Sequence, residues 1–161
     1  MSEVRRIEDQ LRRAFEGEAW HGDSLMEILR GVTAERAAQQ PVANLHSIWE
    51  IVLHISFWED VVRRRAEGEV FPVEIEDGWT TVTDTSEDAW QKTIADLQQG
   101  NANLLETIFR LDDSKLKEQV VIPGLGPYYS IYFMLHGVIQ HDLYHAGQIS
   151  LLKKLNSSSL P

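Results

Sequence analysis

Two histidines near the C-terminal end of the sequence, His141 and His145, have the spacing of a metal-binding pair on a helix. Residues four apart on a helix stand about 40° apart around its axis and about 6 Å apart along it, so both imidazoles can reach one ion. Apolar residues lie at helical spacings of three and four positions before and after this pair, and this face of the helix should point into a core. Polar rings there need partners, because an unpaired buried polar group costs about 1–3 kcal/mol. A metal ion would supply one.

A third histidine, His54, lies inside another predicted helix, at the edge of its apolar face. A side chain at that edge can point into the seam between two helices, where the sites of helical bundles are built. Three imidazoles from two helices would cover one face of a divalent ion and leave positions for water or substrate, as catalytic sites require. Nitrogen ligands suit Zn, Ni, Cu, Fe or Co, and the sequence does not choose among them.

Three other polar side chains are candidates for orienting these rings: Glu50, Asp142 and Gln148. Glu50 lies one helical turn before His54 and is also our candidate for a catalytic base. However, the run from Ser47 to Glu50 matches a capping box, in which the serine oxygen and the glutamate each bond to the other's backbone N–H. Capping is therefore the better-supported role for Glu50.

The histidines also allow simpler interpretations. Two histidines at this spacing often arise by chance, and a single histidine is more often a hydrogen-bonded, partly buried residue than a ligand. If all three are only buried polar residues, no metal will copurify with the protein. Of the other histidines, we expect His46 near a helix end, His136 on a different helix face, and His21 in a loop that could overhang the end of the bundle.

Four long helices must position these residues, and apolar periodicity and capping residues predict them at residues 2–17, 47–67, 85–110 and 130–154. Shorter helical pieces are expected around residues 25–29 and at residues 33–40, where Pro41 closes the second.

Two long connections, residues 69–84 and 112–129, lack helical periodicity. In the second, residues 120–122 could be extended and residues 123–127 should form a turn. These features predict an all-α fold, a four-helix bundle whose long crossover connections can change the simple up-down order.

The length of 161 residues predicts a single domain, residues 1–156, followed by a frayed tail at residues 157–161. Residues 131–139 are apolar almost all round their helix, so they should be central or should pack against a second subunit. A homodimer is the expectation that follows.

The composition excludes several classes of protein. The net charge of −10 argues against binding to nucleic acid or to an anionic membrane, and the one dense basic run, residues 63–65, is interpreted as the solvated end of a helix. The absence of cysteine excludes disulfides, thiolate metal sites and a cysteine nucleophile. With no apolar run of about 18 residues and no apolar leader, we expect a cytoplasmic protein that spans no membrane.

The runs SIWEIVLHI (residues 47–55, with Trp58 following) and GVIQHDLYHAGQI (residues 137–149) resemble the DinB-like (DinB/YfiT) superfamily of metalloenzymes. The run WHGDSL at residues 20–25 is similar to a block of one branch of that superfamily. The resemblance implies a four-helix bundle of unusual connectivity, frequently a homodimer, with a divalent metal bound by three histidines. Carried over to this sequence, those ligands are His54, His141 and His145.

The superfamily members with known activity use a low-molecular-weight thiol, either transferring it to electrophiles or using it to isomerise a small acid. The resemblance therefore implies a divalent-metal-dependent enzyme, with Zn, Ni or another first-row transition metal, that acts on a small molecule by thiol-dependent transfer or hydrolysis. The alternative is a bundle that binds metal or ligand without turnover, as a stress-response protein. The sequence does not identify the substrate. Trp79, Tyr128 and Tyr129 could line an apolar mouth, but covering the ends of the bundle is the interpretation we prefer.

Overall fold

The computed structural model describes residues 1–42 and 44–155, and the predicted frayed tail lies outside them. The described part of the chain contains six α-helices and two β-strands: α1 Glu3–Glu16, α2 Leu25–Leu29, α3 Ala34–Ala38, α4 Ile48–Ala66, α5 Glu87–Arg110, β1 Gln119–Ile122, β2 Gly126–Ser130 and α6 Ile131–Leu155. The four long helices lie where the apolar periodicity predicts them, within two residues at each end.

Serine caps fix where the long helices begin. Ser2, Ser47 and Ser86 each accept a hydrogen bond from the backbone N–H three residues on, at the starts of α1, α4 and α5. The predicted capping box of Ser47 and Glu50 is present in full. Helix α4 packs against α5 and α6, and α1 packs against the same two helices. The prediction of an all-α four-helix bundle is confirmed.

The two long connections contain more structure than their lack of periodicity indicates. The connection between α4 and α5 contains a 3-10 turn, Ile75–Gly78. The connection between α5 and α6 contains a 3-10 turn, Lys115–Lys117, and the antiparallel hairpin β1–β2, in which Gln119 pairs with Ser130. The prediction of an extended segment at residues 120–122 is confirmed, and Gly124 supplies the positive φ of 82° that the hairpin turn requires.

The apolar core consists of two clusters separated by a polar layer. One cluster uses α4 up to Ile55 and α6 from Ala146, and the other uses α4 from Val62 and α6 up to Ile139. Buried polar side chains occupy the level between the two clusters: His54, Glu59, Asn101, Asp142 and His145. A polar layer of this kind is unusual in a bundle core, because each of its groups needs a partner.

The basic run at residues 63–65 is only partly solvated, contrary to our interpretation. Arg63 pairs with Asp60 and Glu67 on the surface, as expected. Arg65 is buried, and its Nη1 donates a hydrogen bond of 3.0 Å to the hydroxyl of Tyr129 on β2. The β1–β2 hairpin covers this side of α4, so Arg65 is buried where a solvated side chain was expected.

Among the residues that the structure describes, we find no helix with both the length and the apolar character needed to cross a membrane.

Candidate metal centre

Three imidazoles meet in the polar layer of the bundle. His54 comes from α4, and His141 and His145 come from successive turns of α6. Each histidine contributes one ring nitrogen, and these three nitrogens lie within 4.8 Å of one another. The ring centroids are 4.4–5.0 Å apart. The structure thus brings together the three histidines that were expected to converge.

The second ring nitrogen of each histidine faces an oxygen. His54 Nδ1 is 3.1 Å from the carbonyl oxygen of Gly78, and His145 Nδ1 is 2.7 Å from Oε1 of Gln148. His141 Nδ1 makes a longer contact of 3.5 Å with Oδ1 of Asp142. A carbonyl oxygen only accepts, so Nδ1 of His54 and Nδ1 of His145 carry the hydrogen and donate it. This leaves Nε2 of His54 and Nε2 of His145 as lone-pair donors, the state in which imidazole binds metals.

The closest approach within the group is between two such nitrogens. The Nε2 atoms of His54 and His141 are 3.1 Å apart. If Asp142 accepts the Nδ1 hydrogen of His141, two lone pairs face each other at this distance and repel unless a cation binds both. A set of three neutral imidazole nitrogens with this arrangement fits a divalent ion of the first transition row.

Burial keeps the rings neutral. Removal from water lowers the pKa of His54 to about 4, although the hydrogen bond to Gly78 opposes the shift. The same cause lowers the pKa of His141 to about 4 and lowers the pKa of His145. At neutral pH all three rings are therefore unprotonated at one nitrogen, so a metal ion would not have to displace a proton.

Two tryptophans enclose the histidines. The ring of Trp79 stacks on His54 at 3.8 Å, and on its other face it stacks on His46 at 3.6 Å. Trp58 meets His54 and His141 edge-on, with centroids 6.3 and 6.4 Å away. Trp79 therefore covers one face of His54, and His46 lies outside the three-histidine group, as predicted.

Gly78 lets the backbone approach the site closely. A Cβ atom there would lie 2.9 Å from Nε1 of Trp58, a distance that real Cβ atoms essentially never show, and a tight 3.0 Å from Nδ1 of His54. Gly78 was not among the site residues expected from the sequence. The available signal, Gly78 directly after Asp77, indicated only a turn.

Behind His141 lies a pair of buried acids, Glu59 and Asp142. Burial raises the pKa of both carboxyls well above the usual range; the neighbouring Asp142 raises that of Glu59 further, whereas Glu59 lowers that of Asp142. Glu59 is therefore the member of the pair that holds its proton more strongly. Oε1 of Glu59 also accepts a hydrogen bond of 2.6 Å from Asn101 Nδ2.

Of this pair, only Asp142 was expected near the site from the sequence, and Glu59 was missed. The signal was present, because Glu59 follows Ile55 by four residues and precedes Val62 by three, on the apolar face of α4. The neighbouring Trp58 is only half-buried, whereas Glu59 is fully buried.

Glu50 is engaged at the start of α4. Its Oε2 accepts hydrogen bonds from the backbone N–H of Ser47 at 2.8 Å and from Nε2 of Gln40 at 3.2 Å, and His46 is 3.6 Å away. Burial raises the pKa of Glu50, but these partners outweigh it and the pKa is lowered. The capping role is confirmed, and the role of catalytic base stays a prediction.

The two remaining histidines lie elsewhere. His21 is exposed and borders a groove with Ile139 and Leu143. The ring of His136 packs against that of Tyr132, one turn earlier on α6, at a centroid distance of 4.4 Å. Neither belongs to the three-histidine group.

Comparison with known proteins agrees with this architecture. The solved structure of a conserved protein from Enterococcus faecalis matches with a TM-score of 0.70, covering 96% of this chain and 97% of that chain at 16% sequence identity. At this identity the likeness shows the fold alone. No curated protein matches the sequence. A family model of the DinB superfamily matches residues 19–149, which include all three histidines of the group. Since this match spans most of the chain, the protein belongs to the DinB superfamily.

Proposed function

We propose that this protein is a divalent-metal-dependent enzyme whose metal is bound by His54, His141 and His145, and that it acts on a small molecule by thiol-dependent transfer or by hydrolysis. The observation that carries the proposal is the approach of three imidazole nitrogens to within 4.8 Å of one another. Membership of the DinB superfamily supports it. The metal is Zn, Ni or another first-row transition metal, because the donors are all imidazole nitrogens.

A bound metal would act as a Lewis acid that lowers the pKa of a coordinated water or thiol. Other groups of the chain orient the three rings: the carbonyl of Gly78 and the amide oxygen of Gln148 accept the Nδ1 hydrogens of His54 and His145, and the carboxyl of Asp142 lies 3.5 Å from Nδ1 of His141. Trp79 stacks on His54 and excludes water from that face of the ring.

A thiol used by this enzyme must come from a diffusible cofactor, because the chain contains no cysteine. Such a low-molecular-weight thiol would bind as the thiolate and attack an electrophilic substrate. Homodimeric assembly and a cytoplasmic location stay predictions, which light scattering after gel filtration and cell fractionation would check.

Elemental analysis of the untagged protein after gel filtration tests the proposal. We expect near-stoichiometric metal in the parent, and loss of that metal in His54→Ala and in His145→Ala. His136→Ala is the matched control, because this histidine lies outside the group and should leave the metal content unchanged. A parent protein that contains no metal and takes up neither Zn nor Ni would contradict the proposal. In that case a proton on one Nε2 bridges His54 and His141, and the histidines are buried polar residues only.

Activity is a separate question from metal binding. Turnover of small electrophiles by the metal-loaded protein with added thiols, lost in His145→Ala, would support an enzyme. Stoichiometric metal without turnover of any thiol, ester or amide substrate would favour the alternative, a bundle that binds metal without catalysis.

A further inference from the structure

An apolar groove lies directly beside the three-histidine group. It has a volume of about 200 Å³, and its walls come from α4, β2 and α6, with His141 among the lining residues. Trp58 and Val62 form one side, and Tyr129 and Phe133, whose rings are 5.8 Å apart, are also part of the lining. The groove is therefore continuous with the candidate metal centre.

The lining of the groove has little polar character. Apart from the indole of Trp58, the hydroxyl of Tyr129 and the ring of His141, its side chains carry no nitrogen or oxygen. The hydroxyl of Tyr129 is already bonded to Arg65, and Nε1 of Trp58 faces Gly78. His141 is thus the polar group that a ligand in the groove would meet.

We propose that this groove binds a monocyclic aromatic part of the small-molecule substrate and so places the substrate's reactive group at the three histidines. The proposal rests on the proposed function. An apolar cavity of about 150 Å³ is known to hold benzene, so a groove of about 200 Å³ accommodates one ring with a short substituent. Substrate pockets usually measure about 300–1,000 Å³, so the groove takes one part of a substrate, and the rest lies at the metal centre.

A larger side chain in place of Gly137 can close the groove. It lines the groove from α6, and a Cβ added to it would meet nothing within 4 Å. A leucine there has open space for its Cβ, and the rest of its side chain would extend into the groove. Because alanine and leucine favour helices more than glycine does, Gly137→Ala and Gly137→Leu should both unfold at or above the temperature of the parent.

Two thiols serve as probes of the zinc-loaded protein: benzyl mercaptan, which carries a ring, and 2-mercaptoethanol, which does not. We expect calorimetry to show that the parent binds benzyl mercaptan about tenfold or more tightly than 2-mercaptoethanol, because the ring is removed from water. Gly137→Leu should abolish this difference, while Gly137→Ala retains most of it. The control for added bulk on α6 is Gly147→Leu, at an exposed position with nothing within 4 Å, which should bind both thiols as the parent does.

Equal affinity of the parent for the two thiols, or an undiminished preference in Gly137→Leu, would overturn the proposal. So would a change of oligomeric state in Gly137→Leu on gel filtration, because the groove would then be an interface between copies.

The inference and the proposed function can fail separately. If the protein holds no metal, the proposed function fails, and benzyl alcohol titrated into the metal-free protein tests the groove alone by tryptophan fluorescence. Saturable binding that Gly137→Leu removes would support a ring-binding groove, and no binding would overturn it.

Discussion

Replacing Gly78 with alanine should weaken the candidate metal centre through one added carbon atom. The backbone at Gly78 does not have a positive φ, so alanine meets no conformational barrier there. Its Cβ, however, would lie 2.9 Å from Nε1 of Trp58, 3.0 Å from Nδ1 of His54 and 3.3 Å from Cε1 of the same ring. Either the 3-10 turn must move outwards or His54 must rotate.

The expected magnitude follows from these contacts. Overpacking of this kind costs about 1–3 kcal/mol, and loss of the hydrogen bond from His54 to the Gly78 carbonyl adds about 1 kcal/mol. For a domain of this size, these losses lower the unfolding temperature by about 4–15 °C. Because that hydrogen bond also fixes the tautomer of His54, metal affinity should fall by about 10–100-fold.

Thermal unfolding with and without Zn, together with competition against a chromophoric zinc chelator, measures both effects. Gly137→Ala is the matched control: its added Cβ has open space, and the change should raise stability by about 0.5–1 kcal/mol without altering metal affinity. A Gly78→Ala protein with the metal affinity of the parent would refute the reasoning, because His54 would then not depend on this carbonyl.

Three further predictions concern the polar layer. Asp142→Asn should lower metal affinity by about 10–100-fold in chelator competition, because the carboxylate that accepts the His141 Nδ1 hydrogen is lost; unchanged affinity would show that Asp142 does not orient the ring. Glu59→Gln should leave the free energy of unfolding in urea within about 1 kcal/mol of the parent at pH 7, because an amide can donate a hydrogen bond as the protonated acid does. Glu59→Ala should lower the free energy of unfolding by about 1–3 kcal/mol. Equal losses in the two variants would argue against a protonated Glu59. In the metal-free protein, His54 and His141 have a pKa of about 4 against 6.5 for an ordinary histidine. Between pH 4 and pH 6.5 the unfolded state binds more protons than the folded state does. The free energy of unfolding should therefore decrease as the pH falls through this range, by at most about 1.4 kcal/mol per pH unit for each ring. Urea titrations from pH 7 to pH 4 should show a shallower decrease for His54→Ala than for the parent, and identical slopes would contradict the lowered pKa of His54.

The sequence predicts the bundle well because its signals are local. The capping box of Ser47 and Glu50 fixes the start of α4, and the periodicity of α4 and α6 places His54 and His141 on facing sides. Once two such helices pack together, three of the six histidines can meet without further information.

The residues that sequence reasoning missed or misplaced depend on non-local contacts. Gly78 and Trp79 belong to a connection without periodicity, and no local rule indicates that this connection folds back over His54. Arg65 is solvated in a lone helix and becomes buried only because the β1–β2 hairpin covers it. Glu59 is different, because its position on an apolar face was visible in the sequence and indicated a buried acid.

The polar layer between the two apolar clusters requires an explanation other than stability. Replacing buried polar groups with well-packed apolar ones is often neutral or stabilising. Asn101 donates a hydrogen bond to Glu59, Glu59 holds its proton more strongly than the neighbouring Asp142, and Oδ1 of Asp142 lies 3.5 Å from Nδ1 of His141. If Asp142 accepts the Nδ1 hydrogen of His141, the lone pair of His141 lies on Nε2, 3.1 Å from Nε2 of His54, whose own hydrogen is on Nδ1. Two lone pairs in that arrangement repel each other, and a metal ion that binds both would remove the repulsion.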